Sequence, residues 1–322
     1  MSQFLSNCTA DAMLDAARHL KAGDLVAFPT ETVYGLGADA SNSKAVARIY
    51  SVKGRPNDHP LIVHIACMDR MGDWASEVPE YAIALARSFW PGPMTLILKR
   101  SELAGDFITG GQDSVGVRVP DHVVALALLE AFERAGGKGV AAPSANRFGH
   151  VSPTTAGAVI EELGEYLSKE DSILDGGTCA LGVESTIIDC TGLAPRVLRP
   201  GGISVAMIEE STGLQISNSD LGIRVSGSMD SHYAPKANVL LDVTPKDGDG
   251  FIAMSHIPNL DNVVRIASPS SNEEYAHILY SALRLADRLK LQNIVIIQPE
   301  GDGIAIAIRD RLKKAANQEL IN

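Results

Sequence analysis

The chain is poor in features that mark several functional classes. Its 322 residues include four cysteines (Cys8, Cys67, Cys179 and Cys190), with no CxxC pair and no zinc-like spacing. Thiol redox chemistry and structural zinc therefore have no framework, and a reducing, cytoplasmic setting is expected. No apolar run approaches the ~20 residues that span a bilayer. The start, MSQFLSNCTADAML, lacks a cationic stretch followed by an apolar one, so neither a secretory signal nor a membrane partner is expected. Positive charge is in deficit, with 28 Lys and Arg against 39 Asp and Glu, a net charge of -11. That balance disfavours broad contact with nucleic acid or anionic membrane, but leaves room for a local basic pocket. HExxH, Walker A, GxGxxG and GxSxG patterns are absent. Zinc hydrolysis, P-loop chemistry, Rossmann cofactors and α/β-hydrolase catalysis thus have no motif support.

What is present suits a globular chain: 45% of residues are hydrophobic and 21% charged, enough for one large domain or two ordinary ones. Helical spacing marks 9–22, 43–51, 79–90, 121–135 and 154–167. Buried strands are expected in DLVAF, LIVHIA, MTLILKR, VGVRVP, GVAAPSAN, SILDGG, ESTIIDC and RVLRPGG. Several strands follow one another without a helix, so an α/β domain with a mixed, twisted sheet and flanking helices is expected over 1–208. Residues 209–236 turn rich in Ser, Gly and Asn and read as a linker or lid. From 237 to 322 the pattern resumes as a small Rossmann-like α/β unit. Its strands are VLLDV, GFIAMSH, NVVRIAS and NIVIIQPE, with a helix over 272–290.

Several stretches end in polar residues that a merely packed strand would not need. FPTETVYGLGADA places Thr30, Glu31 and Thr32 at a strand end. In KGRP, Lys53 and Arg55 flank Gly54, which suits a phosphate chain but, taken alone, reads more readily as a solvated basic loop. AAPSANRFGHVS brings Ser144, Asn146 and Ser152 to a strand–loop junction, as anion or sugar ligands or as turn formers. Arg118 interrupts the apolar strand SVGVRVP. A guanidinium there must find an anion, either a substrate carboxylate or an internal Asp or Glu. His64 within LIVHIA suits a core histidine as well as a ligand. GVESTII repeats the Glu-Ser-Thr theme at Glu184, Ser185 and Thr186, and RVLRPG ends on Arg199.

Taken in order, PTETVYGLG, KGRP, HPLIVHI, WPGPMTLIL, VGVRVP, APSAN, GVESTI and LRPG resemble the threonylcarbamoyl-AMP synthase family, which has the YrdC-like fold. SHYAP followed by a small α/β unit resembles the longer, two-domain form. The resemblance implies synthesis of threonylcarbamoyl-adenylate and pyrophosphate from L-threonine, bicarbonate and ATP, for a tRNA modification beside the anticodon that downstream transferases complete. Its KxR…SxN pattern falls on Lys53, Arg55, Ser144 and Asn146, and it casts Lys53 and Arg55 as catalytic. Threonine contacts would fall on Thr32, His64, Arg118, Ser185 and the backbone of Ala142. ATP contacts would fall on Arg55, His59, Ser114, Ser144, Asn146, Ser152, Arg199 and Tyr233. Mg2+ would arrive with ATP, its protein ligands unassigned, and no organic cofactor is expected. Stable tRNA binding is not expected either. An RNA-binding relative of the same fold without adenylation activity is the rival reading; the related hydrogenase-maturation proteins carry zinc-binding extensions that this chain lacks.

Overall fold

The computed structural model describes residues 5–217, 222–227 and 232–317. Two helices begin and end where the sequence supplies caps. Thr9 accepts from the Ala12 N–H and left-handed Gly23 closes Ala10–Ala22; Asn42 and Gly54 do the same for Ser43–Lys53. The latter helix therefore continues past 51 and takes in Lys53.

Eleven strands form one mixed sheet, as the run of strands without helices suggested. Its middle order is Gly35–Asp39, Val140–Ala141, Ile62–His64, Ser114–Arg118, Met94–Arg100, Thr186–Asp189 and Arg196–Arg199. Ile62–His64 runs parallel to Ser114–Arg118 with His64 opposite Arg118, and antiparallel to Val140–Ala141. Thr186–Asp189 runs parallel to Met94–Arg100, with Arg199 opposite Ile187. The register thus gathers several of the polar strand ends in one region. Tyr34, Leu36, Val63, Leu96 and Val117 belong to the largest apolar core, whereas Phe28 and Val140 join Leu20, Leu128 and Phe132 in another.

The strand Gly35–Asp39 was not foreseen, because glycine is depleted in strands. At Gly37 a Cβ would lie 2.7 Å from Val140 Cγ1 and 2.9 Å from Phe28 Cε1. Neighbouring side chains fill its space.

The second unit is a four-stranded parallel sheet, ordered Asn238–Leu241, Asn293–Ile296, Gly250–Ile252 and Val264–Ala267. It carries the expected helix, Asn272–Arg288, and an unforeseen one, Ile304–Ala316. The two units share an apolar cluster, since Val33, Val151 and Val183 pack with Tyr275, Leu279, Leu283 and Leu312. The helix Val205–Thr212 crosses position 208. Within 209–236, positions 218–221 and 228–231 lie outside the described residues, while Val225, His232 and Tyr233 are buried.

Candidate functional site

The gathered strand ends open on a cleft lined by several of the polar residues singled out above. Arg118 lines it and is 4% exposed. Its Nη2 donates to Thr32 Oγ1 at 2.9 Å and lies 2.7 Å from Glu31 Oε2 in an ion pair. Thr30 fixes that corner by accepting from the N–H groups of Thr32 and Val33 at 3.2 Å and meeting Thr32 Oγ1 at 2.8 Å. Both readings of Arg118 therefore meet here: it has an internal carboxylate partner and also lines the cleft, with Nε unpartnered. Burial and the Arg118 charge push His64 down to about 3, so the imidazole facing the cleft is neutral, with Nδ1 unpartnered.

Two more guanidinium groups line the cleft. Arg55 donates to Pro60 O at 3.0 Å and Ser226 Oγ at 3.2 Å, and burial pushes it down to about 10. Arg199 donates to Ser185 O from Nε and Nη2 and to Ser226 O from Nη1 at 2.9 Å. Ser185 Oγ meets Thr95 Oγ1 at 2.8 Å. Burial raises the Glu184 carboxyl, but Arg311 and Arg199, with hydrogen bonds from Ser152 and Arg311, bring it to about 2. Glu184 therefore stands ionised in the cleft wall.

Thr32, His64, Arg118, Ala142, Ser185, Arg55, Ser144, Arg199 and Tyr233 line this cleft. The other proposed residues stand back from it. Lys53, at the last turn of its helix and 2% exposed, donates to Ser144 O at 2.6 Å and Asn146 O at 2.5 Å. Burial, then the Arg55 charge, lowers its ammonium pKa well below the usual lysine range. Gly54 serves as a left-handed helix cap, and a Cβ there would meet Arg147 Nη2 at 2.7 Å. That is a different use from admitting a phosphate. Asn146 Nδ2 donates to Arg147 O and His150 O at 2.8 Å, and Ser152 Oγ to Glu184 at 2.7 Å. His59 packs edge-on against Phe148 at 5.3 Å. Ser114 lines an adjoining hollow beside Arg224, Val225 and Ser226. The Ala142 N–H is taken by Ile62 O.

Sequence reasoning gave no cleft role to Glu184, Ser226, Gly227 or His232, all of which line it. Glu184 did carry a signal, since GVEST echoes PTET. Among the described residues no group of three or more His, Cys, Asp or Glu is placed to hold a metal ion, and no helix is long and apolar enough to cross a membrane.

Residues 18–201 match the family model described as Telomere recombination, and 203–317 match that described as Threonylcarbamoyl-AMP synthase, C-terminal domain. A curated threonylcarbamoyl-AMP synthase of Pyrococcus abyssi is 40% identical over 335 residues, spanning 95% of this chain and 94% of the relative. One of Bacillus subtilis is 37% identical, spanning 95% and 93%. The crystal structure of P. abyssi Sua5 complexed with L-threonine is similar at a TM-score of 0.87 and 38% identity, over 97% of each chain.

Proposed function

The chain belongs to the threonylcarbamoyl-AMP synthase family, in its two-domain form, and from that premise we propose how its cleft forms threonylcarbamoyl-AMP. The observation that carries the reading is the pairing of Arg118, anchored by Thr32 and Glu31, with Arg55 and Arg199 in one cleft. Such a cleft suits a substrate with a carboxylate at one end and phosphates at the other.

The carboxylate of L-threonine binds the remaining donors of Arg118, Nε–H and Nη1, with Thr32 and Ser185 as short polar partners for its hydroxyl and amine. The amine and bicarbonate give a carbamate and water. A carbamate oxygen then attacks the α-phosphorus of ATP, the bond to the β-phosphate oxygen breaks, and pyrophosphate leaves. Arg55 and Arg199 counter the charge that develops on the phosphoryl oxygens. Lys53 acts on the loop that carries Ser144 rather than on the cleft itself, and catalysis is largely positioning in a site that excludes water. His64, neutral and beside Arg118, accepts a hydrogen bond from the bound amino acid or its carbamate. Magnesium would arrive on the phosphate oxygens of ATP and counter their charge, and Ser144 with its loop would hold the phosphates that carry it. The product is handed to a downstream transferase that acts on tRNA, and the acidic chain itself holds tRNA weakly.

The test is pyrophosphate release from ATP and Mg2+ with threonine and bicarbonate each omitted in turn. Release that needs both supports the reading. Release that ignores threonine, or tRNA binding without release, overturns it.

A further inference from the structure

The helices of the second domain insert polar side chains behind the cleft. Glu184 lines the cleft, and both its oxygens are held. Ser152 donates to Oε1 at 2.7 Å; Tyr280 and Arg311, both from the second domain, donate to Oε2 at 2.8 and 2.7 Å. Arg311 is 1% exposed and also donates to Pro200 O at 3.0 Å, beside Arg199. Its guanidinium lies 5.3 Å from the centre of the Tyr233 ring, which stacks on Tyr280 at 5.7 Å. One turn beyond Tyr280, Arg284 donates to Val151 O and to Glu162. Domains that needed only to adhere would do as well with apolar side chains of similar volume, because a buried ion pair is costly to desolvate. Here the carboxylate belongs to the cleft wall and the guanidinium comes from the other domain.

We propose that Arg311 and Tyr280 are positioning residues of the adenylation site, holding the Glu184 carboxylate, and with it Ser152 and the Tyr233 ring, in place from the second domain. This rests on the adenylation reading above. It gives the second domain a part in the reaction that involves no contact of its own with substrate.

The test is a cycle of Glu184→Gln, Arg311→Met and the double variant, read as threonine-dependent pyrophosphate release. Arg311→Met is expected to lower kcat/KM for ATP on the order of 10- to 100-fold, as loss of a supporting partner does. The double variant should then match Glu184→Gln alone, because Arg311 acts through that carboxylate. Losses that multiply would overturn the proposal. The second readout is the acid limb of the pH profile. The groups around Glu184 are Arg311, Arg199, Tyr233, Tyr280 and His232, with Asp310 behind Arg311. Removing the Arg311 charge lets burial raise the carboxyl, so the limb moves to higher pH. It should stay put in Arg288→Ala, which breaks only an exposed inter-domain pair with Glu161 at 3.7 Å. Tyr280→Phe keeps the ring and removes one donor to Glu184. It should lower kcat/KM for ATP by less than Arg311→Met, and full activity there refutes the proposal even if Arg311→Met fails to fold. A wild-type chain without threonine-dependent release would overturn the adenylation reading, and this inference with it. An active wild type with fully active variants would overturn this inference alone.

Discussion

Replacing Arg118 by lysine separates its two tasks. Lysine keeps the positive charge, so Glu31, 2.7 Å away, retains a counter-ion, and the ~3–5 kcal/mol cost of stranding a buried carboxylate is avoided. What is lost is the planar fork. Arg118 already commits Nη2 to Thr32 and Glu31, which leaves Nε–H, without a partner, and Nη1 as separate donors to a carboxylate. An ammonium turned toward Glu31 and Thr32 places no donors where Nε and Nη1 stand. One charge-assisted hydrogen bond contributes about 1.5–3 kcal/mol, which is roughly a 10- to 150-fold rise in KM for threonine. The assay is pyrophosphate release titrated with threonine at saturating ATP, then with ATP at saturating threonine. KM for ATP should hold and the melting temperature should change little. If KM for threonine stays at the wild-type value, or both KM values rise together, Arg118 is not the carboxylate clamp.

Lys53→Met removes the donor to a buried carbonyl, Asn146 O, and a partly buried one, Ser144 O; the buried one costs about 1–3 kcal/mol when left unsatisfied. Loss of activity should therefore come with a clear drop in the urea midpoint, and an inactive variant of wild-type stability would instead place the ammonium on the phosphates. Gly54→Ala forces a side chain into the left-handed region at φ 64, about 1–2 kcal/mol, measurable by denaturation; an unchanged midpoint contradicts the assigned cap. Acid should weaken the fold early. His64 and His232 are each pushed down to about 3, mainly by burial, whereas the unfolded chain protonates near 6.5. Protons thus favour the unfolded state as pH falls below that value, and each histidine costs roughly 2 kcal/mol by pH 5. Glu162 and Glu184, at about 2, contribute stability above about pH 4.5 and lose it only on further acidification. Equal stability at pH 7.5 and 5 would refute this.

The legible parts of the fold were those where one local rule dominates. Capped helices such as Ala10–Ala22 and the apolar strand Met94–Arg100 announce themselves by period and punctuation. The helix Ile304–Ala316 does not: it opens on IAIAI, which alternates like a strand, and Gly303 offers no side-chain cap. The Gly35–Asp39 strand was hidden because only Val140 and Phe28, distant in sequence or across the sheet, explain Gly37. In the site, polar residues at strand ends were readable because an arginine among valines needs a reason. Arg311 was not, since a charged residue in RDRLKKAA looks like an ordinary solvated helix face and only the fold buries it against Glu184.

The KxR…SxN residues illustrate why a motif is a poor list of ligands. Only Arg55 and Ser144 of the four line the cleft. Lys53 and Asn146 use their donors on backbone carbonyls: Lys53 ties the end of its helix to the loop at Ser144 and Asn146, and Asn146 ties that loop to Arg147 and His150. The same loop sends the Arg147 guanidinium against Gly54 and Val52 O at the helix end and is joined, through Glu162, to the second-domain Arg284. The four residues therefore form one mechanical unit with two outward-facing groups. In such a unit the inward-facing pair sets where the outward-facing pair points, so losing either pair should cost activity by different routes. Lys53 should register in stability and activity together, and Ser144 in activity alone.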